Sequence, residues 1–152
     1  IDAILKSKRA MQKQQLVVAK ALSDAEEHFG ADSPSFKSIL KATGYSRRSA
    51  DKYIVISGHK LLENPEFDGV DSLAILYDLV ACSGDTHDIL LATRKKRRAN
   101  GDTLPPVSRT DVKNARRQSA EATRLYLKSP GAIPIESGVP LPPRYRTKRR
   151  RS

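Results

Sequence analysis

Residues 4 to 29 run without proline or glycine, and Ile4, Met11, Val18 and Ala25 recur every seven positions, with Leu22 and Phe29 extending the stripe. That spacing sets the apolar side chains along one side of a 3.6-residue helix. Lys8 and Gln15 flank the stripe and are polar, which argues against a continuous coiled-coil seam. The stripe predicts an amphipathic helix packed on its own domain, with a dimer seam as the alternative. "ADSP" closes this helix and starts the next: Ser33 suits an N-cap, and Pro34 the first helical position, where its missing N–H is not needed. Phe36, Ile39 and Leu40 then give the i, i+3, i+4 spacing of one buried face.

Gly44 can take the left-handed conformation that ends a helix, and Ser46 can cap another. On that next helix Ala50, Tyr53, Ile54, Ser57 and Leu61 fall in one arc, with Arg47, Arg48, Asp51 and Lys52 opposite. Val55 interrupts the polar side; a thymine methyl or a neighbouring subunit would use it. "ENPEFDG" reads as a loop, and "DSLAILYDLVAC", residues 71 to 82, is apolar nearly all round and predicts a central, buried helix. Asp85 with Asp88 resembles a capping box for a further helix that ends at Asn100-Gly101. After "TLPPV", Ser108 caps a last helix with Val112, Ala115, Ser119, Ala122 and Tyr126 on one face. From Ser129 the character changes, because five of the nine prolines lie in the remaining segment, which is expected to be extended or disordered.

The expected architecture is all-α. It has an N-terminal amphipathic helix (1–30), a small helical domain containing a helix-turn-helix (31–128), and a Pro-rich basic tail (129–152). Aromatic residues are only 5% of the chain and tryptophan is absent, so the core must be small and aliphatic.

Charge narrows the function. Lys and Arg number 28 against 17 Asp and Glu, a net +11, which favours a polyanionic partner: nucleic acid, an anionic membrane or an acidic protein. No run reaches the length needed to span a bilayer, no secretory signal opens the chain, and the tail offers no amphipathic helix for a membrane surface. Cys82, the single cysteine, lies in an apolar run and reads as a small buried hydrophobe in a reducing compartment. His28, His59 and His87 are far apart and lack ligand-spaced partners, and neither a Walker-type loop nor a nucleophile elbow is present. No catalytic residue, metal site or cofactor is expected, and the chain does not read as an enzyme.

Two short helices around a Gly-containing turn are the parts of a helix-turn-helix, whose second helix presents its N-terminal residues to base edges. Ser46, Arg47, Arg48, Ser49, Asp51 and Lys52 are the candidate readers. Arginine suits this place because its fork matches guanine O6 and N7 bidentately. Asp51 must point away from phosphate, pair with an arginine, or accept from a cytosine amino group.

"FKSILKATGYSRRSADKYIVIS" resembles the signature of a family of phage and plasmid proteins: an aromatic residue, a spacer, then Gly-Tyr/Phe-Ser-x-Arg-Ser/Thr-Ala-x-x-Tyr. The matching residues are Phe36, Gly44, Tyr45, Ser46, Arg48, Ser49, Ala50 and Tyr53. Downstream, the stretch from Asp71 to Arg116 is loosely similar to ParB-like partition proteins, departing at "KKRR" and "TLPPV". The resemblance covers about residues 34 to 117. It implies helical DNA binding by a replicon-maintenance or transcription-regulatory protein.

Three basic groups are candidate phosphate contacts: Arg94, Lys95, Lys96, Arg97 and Arg98; Arg109, Lys113, Arg116 and Arg117; and, in the tail, Arg144, Arg146, Lys148, Arg149, Arg150 and Arg151. Phosphate contacts position a protein without reading sequence, and their contribution falls with salt. The expected partners are double-stranded DNA, a second copy of the chain in a homodimer, and a protein that recognises the Pro-rich tail. The expected location is cytoplasmic and nucleoid-associated. A virion or nucleoid packaging protein that binds nucleic acid without reading it is the alternative.

Overall fold

The computed structural model describes residues 1–128, and all regular structure among them is helical. The expectations for residues 129–152, including the basic tail cluster, lie outside the described residues. Helix α1 (Asp2–Phe29) is about 42 Å long at 1.5 Å per residue. Helices α2 (Pro34–Thr43) and α3 (Arg47–Ile56) follow, then two short 3-10 turns (Lys60–Glu63 and Pro65–Phe67). Helices α4 (Leu73–Ala81), α5 (Gly84–Ala99) and α6 (Arg109–Lys128) complete the described residues.

Local chemistry sets most of the boundaries. Ser33 Oγ accepts from the Phe36 N–H at 3.1 Å, Ser46 Oγ from Ser49 N–H at 3.1 Å, and Ser108 Oγ from Asp111 N–H at 3.2 Å. Asp111 reciprocates by accepting from the Ser108 N–H at 2.9 Å, which closes a capping box at the start of α6. The cap of α5 is Ser83, accepting from Thr86 N–H at 3.3 Å, rather than the expected Asp85. Gly84 directly after it takes the first helical position, so Asp85 already lies within the first turn.

One core runs through the described residues, from Ala19 and Leu22 of α1 through Phe36, Ala50, Ile56, Phe67, Val70, Leu76, Leu79 and Leu90 to Val112 and Ala115 of α6. The first thirty residues therefore share their core with the rest. Helix α4 is less enclosed than its apolar run predicts, since only Leu76 and Leu79 are fully buried.

The sharpest departure lies on α1. The heptad stripe faces the core over its second half only: Leu22 is buried and Val18 and Ala25 pack against the core, whereas Ile4, Met11 and Phe29 are exposed, and Gln12 and Ala19 share the buried side. Polar side chains occupy this inner face because they bond the backbone of the loop that crosses it. Gln12 Nε2 donates to the Phe67 carbonyl at 2.8 Å, and its Oε1 accepts from the Gly69 N–H at 2.9 Å. Gln15 accepts from the Tyr53 hydroxyl at 2.6 Å and donates to the Asp71 carbonyl at 3.3 Å. A loop lacking its own ladder must satisfy its buried groups this way. Gly69 completes the junction at φ +82°, where a Cβ would meet Pro106 Cγ at 3.1 Å. The "ENPEFDG" loop is thus a docked segment whose Phe67 is wholly buried.

Candidate nucleic-acid interface

Helices α2 and α3, ten residues each, are joined by Gly44, Tyr45 and Ser46. Gly44 sits in the left-handed region (φ +78°, ψ 7°), which lets α2 end and the chain reverse without a Cβ penalty. Helix α3 buries Ala50, Tyr53 and Ile56 against α1 and α4. The expected inner arc holds for Ala50 and Tyr53, whereas Ile54 is only half-buried and Ile56, not Ser57, completes the seat. The Tyr53 ring meets Tyr45 edge-on at 5.5 Å between centroids. Burial pushes the Tyr53 phenol above its ordinary value, with the nearby Tyr45 adding to the effect, so Tyr53 stays a neutral donor to Gln15.

The outward side of α3 carries Arg48, Asp51 and Val55, with Lys52 at its edge. Val55 is 45% exposed and lies seven residues from Arg48, two turns along the same face. The six candidate readers divide on inspection. Ser46 is the cap, and its hydroxyl also bonds the Ser49 hydroxyl at 3.1 Å. Arg47 turns back onto its own chain: it pairs with Asp51 at 3.1 Å and Glu26 at 3.8 Å, donates to the Ala31 carbonyl, and lies 5.5 Å over the Phe36 ring. These contacts link α3 to α1 and α2 through a side chain that stays 43% exposed. Asp51 takes the second of its three expected options, pairing with an arginine. Arg48 is exposed and makes no ion pair among the described residues. Lys52 places its ammonium 5.6 Å from the centre of the Tyr77 ring on α4.

The basic cluster on α5 also divides. Arg94 is only 4% exposed; it donates to Glu66 at 3.1 Å and to the Pro105 carbonyl at 2.8 Å, with Asp111 at 4.0 Å. A guanidinium enclosed in this way cannot approach phosphate, which corrects its assignment as a phosphate contact. Arg98 joins it on Glu66 at 2.8 Å, and Arg97 pairs with Asp102 at 3.5 Å. Lys95 and Lys96 are exposed without ion pairs among the described residues. Burial raises the Glu66 carboxyl, but hydrogen bonds and charge from Arg98 and Arg94 outweigh it, and the net result lies below the ordinary value.

Arg109, Lys113 and Arg116, with Asp78, Thr110 and Val112, line an open cavity of about 550 Å³ between α4 and the start of α6. Arg116 reaches across it, donating to Cys82 Sγ at 3.2 Å and to the Asp78 carbonyl at 3.3 Å. Cys82 is accordingly half-buried at a polar contact rather than enclosed among hydrocarbon. Arg109, Lys113 and Arg117 are exposed and make no ion pair among the described residues. Tyr77 and Asp78 were missed as site residues. The signal was present, because Asp78 is the only charge inside "LAILYDLVA" and a lone acid in an apolar helix needs a cation. Through these two neighbours, α4 links Lys52 of α3 to the cations of α6.

The three histidines are held locally: His28 against Phe29, His59 accepting from Leu61 N–H at 3.2 Å, and His87 at the Leu79 carbonyl. No group of three or more His, Cys, Asp or Glu among the described residues could hold a metal ion. No helix among the described residues is long and apolar enough to cross a membrane. No family model, curated protein or solved structure matches the chain.

Proposed function

We propose that this chain binds double-stranded DNA, with α2 and α3 acting as a helix-turn-helix and α3 entering the major groove, in transcription regulation or replicon maintenance. The observation that carries this reading is the two-sidedness of α3: one face seated through Ala50, Tyr53 and Ile56, the other presenting Arg48 and Val55 to solvent. A groove-reading helix needs that combination, because its base contacts must be held by packing on the opposite side. Arg48 is the base-reading cation, Lys52 and Val55 complete the reading face, and Arg47 holds the helix in place. Lys95, Lys96, Arg109, Lys113 and Arg117 supply sequence-independent phosphate contacts, as do the tail cations Arg144 to Arg151. A homodimer on two half-sites in the bacterial nucleoid is the assembly this reading requires.

Selection of bound sequences from a random duplex pool tests it, followed by gel shifts on the winner. Arg48→Ala is expected to lose about 1–3 kcal/mol of discrimination at one base pair. Removing residues 144 to 152 should weaken binding to all sequences equally and flatten the salt dependence. Arg47→Ala should act chiefly through stability. A pool that yields no motif, with affinity that vanishes at moderate salt, supports non-specific packaging instead and rejects the reading helix.

A further inference from the structure

The cavity between α4 and the start of α6 gathers more positive charge than the fold uses. Arg109, Lys113 and Arg116 stand at i, i+4 and i+7 on α6, within about 60° of one another around its axis. All three line the cavity, and the one carboxylate among its lining residues belongs to Asp78. Arg109 and Lys113 are exposed and make no ion pair among the described residues, while the Asp78 carboxylate stands 4.0 Å from Arg116. Like charges at these helical spacings destabilise one another. Two guanidiniums and an ammonium around one hollow therefore call for an anion to offset them.

Arg116 is already positioned for one. Its Nε donates to Cys82 Sγ at 3.2 Å and its Nη2 to the Asp78 carbonyl at 3.3 Å. Nη1 makes no hydrogen bond or ion pair among the described residues. The fork is thus fixed on two sides, and a ligand meets a donor that needs little further ordering. The helix end itself is not the attraction, because Ser108 and Asp111 satisfy each other's first-turn groups in the capping box. Asp111 lies about 200° round from Arg109 and faces Arg94 of α5 instead.

We propose that this cavity binds linked phosphate groups, held by Arg109, Lys113 and Arg116. The three cations span about 10 Å along α6, a wider spread than one small carboxylate can use. A DNA strand carries one charge per about 3.4 Å of helix axis, so about three fall within that span. Assigning the phosphates to DNA rests on the reading given above; a free phosphate compound would present the same chemistry. Helix α4 packs against both α3 and α6, which puts the cavity within about 20 Å of the α3 axis, two helix spacings. The strand bordering a major groove about 12 Å wide lies inside that reach.

Calorimetric titration of the full chain with inorganic pyrophosphate, without DNA and at about 0.15 M salt, where distant surface charges are screened, tests the site. Citrate, a carboxylate anion of similar charge, should bind at least about tenfold more weakly. Arg109→Gln with Lys113→Gln should weaken pyrophosphate binding about tenfold or more. Arg116→Lys, which keeps the charge and loses the fork, should weaken it by about threefold to tenfold. Lys6→Gln with Lys13→Gln, which removes the same charge from exposed positions on α1, should leave it within about twofold. Pyrophosphate binding that is absent, matched by citrate, or weakened as much by the α1 pair as by the α6 pair overturns the site. Duplexes carrying an uncharged methylphosphonate at one position at a time then identify the source. Loss of affinity at a short run of positions in wild type, but not in the α6 double variant, assigns the phosphates to a DNA strand. If pyrophosphate binds as expected and no duplex position matters, or no duplex binds, the site takes a free phosphate compound and only the DNA assignment falls.

Discussion

Arg94→Ala is expected to lower the free energy of unfolding by about 1–3 kcal/mol, because the Pro105 carbonyl loses its donor and an enclosed side-chain stem is removed, while Arg98 continues to hold Glu66. The guanidinium joins three segments: α5, the Pro65–Phe67 turn through Glu66, and the loop before α6 through the Pro105 carbonyl. Urea titration reads the loss, and a change below about 0.5 kcal/mol, the range of ordinary surface substitutions, would exclude this role. Replacing both partners, Arg94→Met with Glu66→Leu, should recover most of the stability, since an apolar pair of similar bulk avoids the desolvation cost. DNA affinity of the folded Arg94→Ala protein should match wild type, whereas removing Lys95 and Lys96 together should weaken it. The same cluster sets an acid dependence. The Glu66 carboxyl lies below its ordinary value of 4.5 in the folded chain, so its contribution is fully present above that pH. The contribution declines as the pH drops below 4.5 and is gone once the folded carboxyl has protonated.

The second large effect is expected at Phe36. Its ring is fully enclosed near the start of α2 and supports the Arg47 guanidinium at 5.5 Å. Phe36→Ala should destabilise the chain by about 3–5 kcal/mol through the cavity it leaves. It should also free Arg47, so that α3 loses both its floor and its tether. Phe36→Leu should cost less than about 1.5 kcal/mol, because most of the volume is kept. Thermal unfolding of both variants, with gel shifts at a temperature where each is folded, separates the contributions. If Phe36→Ala binds selected DNA as wild type does while its melting point falls, the tether is not needed for reading.

The helical starts were legible because their determinants are local. Ser33, Ser46 and Ser108 stand immediately before apolar-periodic runs, and a hydroxyl there has little else to do than accept from the first turn. The polar part of α1's inner face was not legible, since Gln12, buried, and Gln15, half-buried, bond the backbone of a loop more than fifty residues away. Those glutamines on the inner arc hid where the apolar line leaves the core, at Ile4 and Met11, while Val18 and Ala25 stay packed against it. The enclosure of Phe67 was hidden for the same reason, because a loop that docks on a helix carries no periodicity of its own. On α3 the outward side was largely visible from phase alone, but the division between Arg47 and Arg48 was not. It depends on Glu26 and Ala31, which the turn after α1 brings alongside. Arg94 did carry a signal. It follows Thr86 and Leu90 at four-residue intervals and shares their buried side, which sets it apart from the solvated cations beside it.

The Cys82–Arg116 contact makes the protein its own reporter. The thiol of Cys82 is clasped between the Asp78 carbonyl at 2.8 Å and a guanidinium on the last helix. A departure of α6 from α4 would remove the guanidinium from the sulfur, so faster alkylation of this single thiol would report that the two helices had parted.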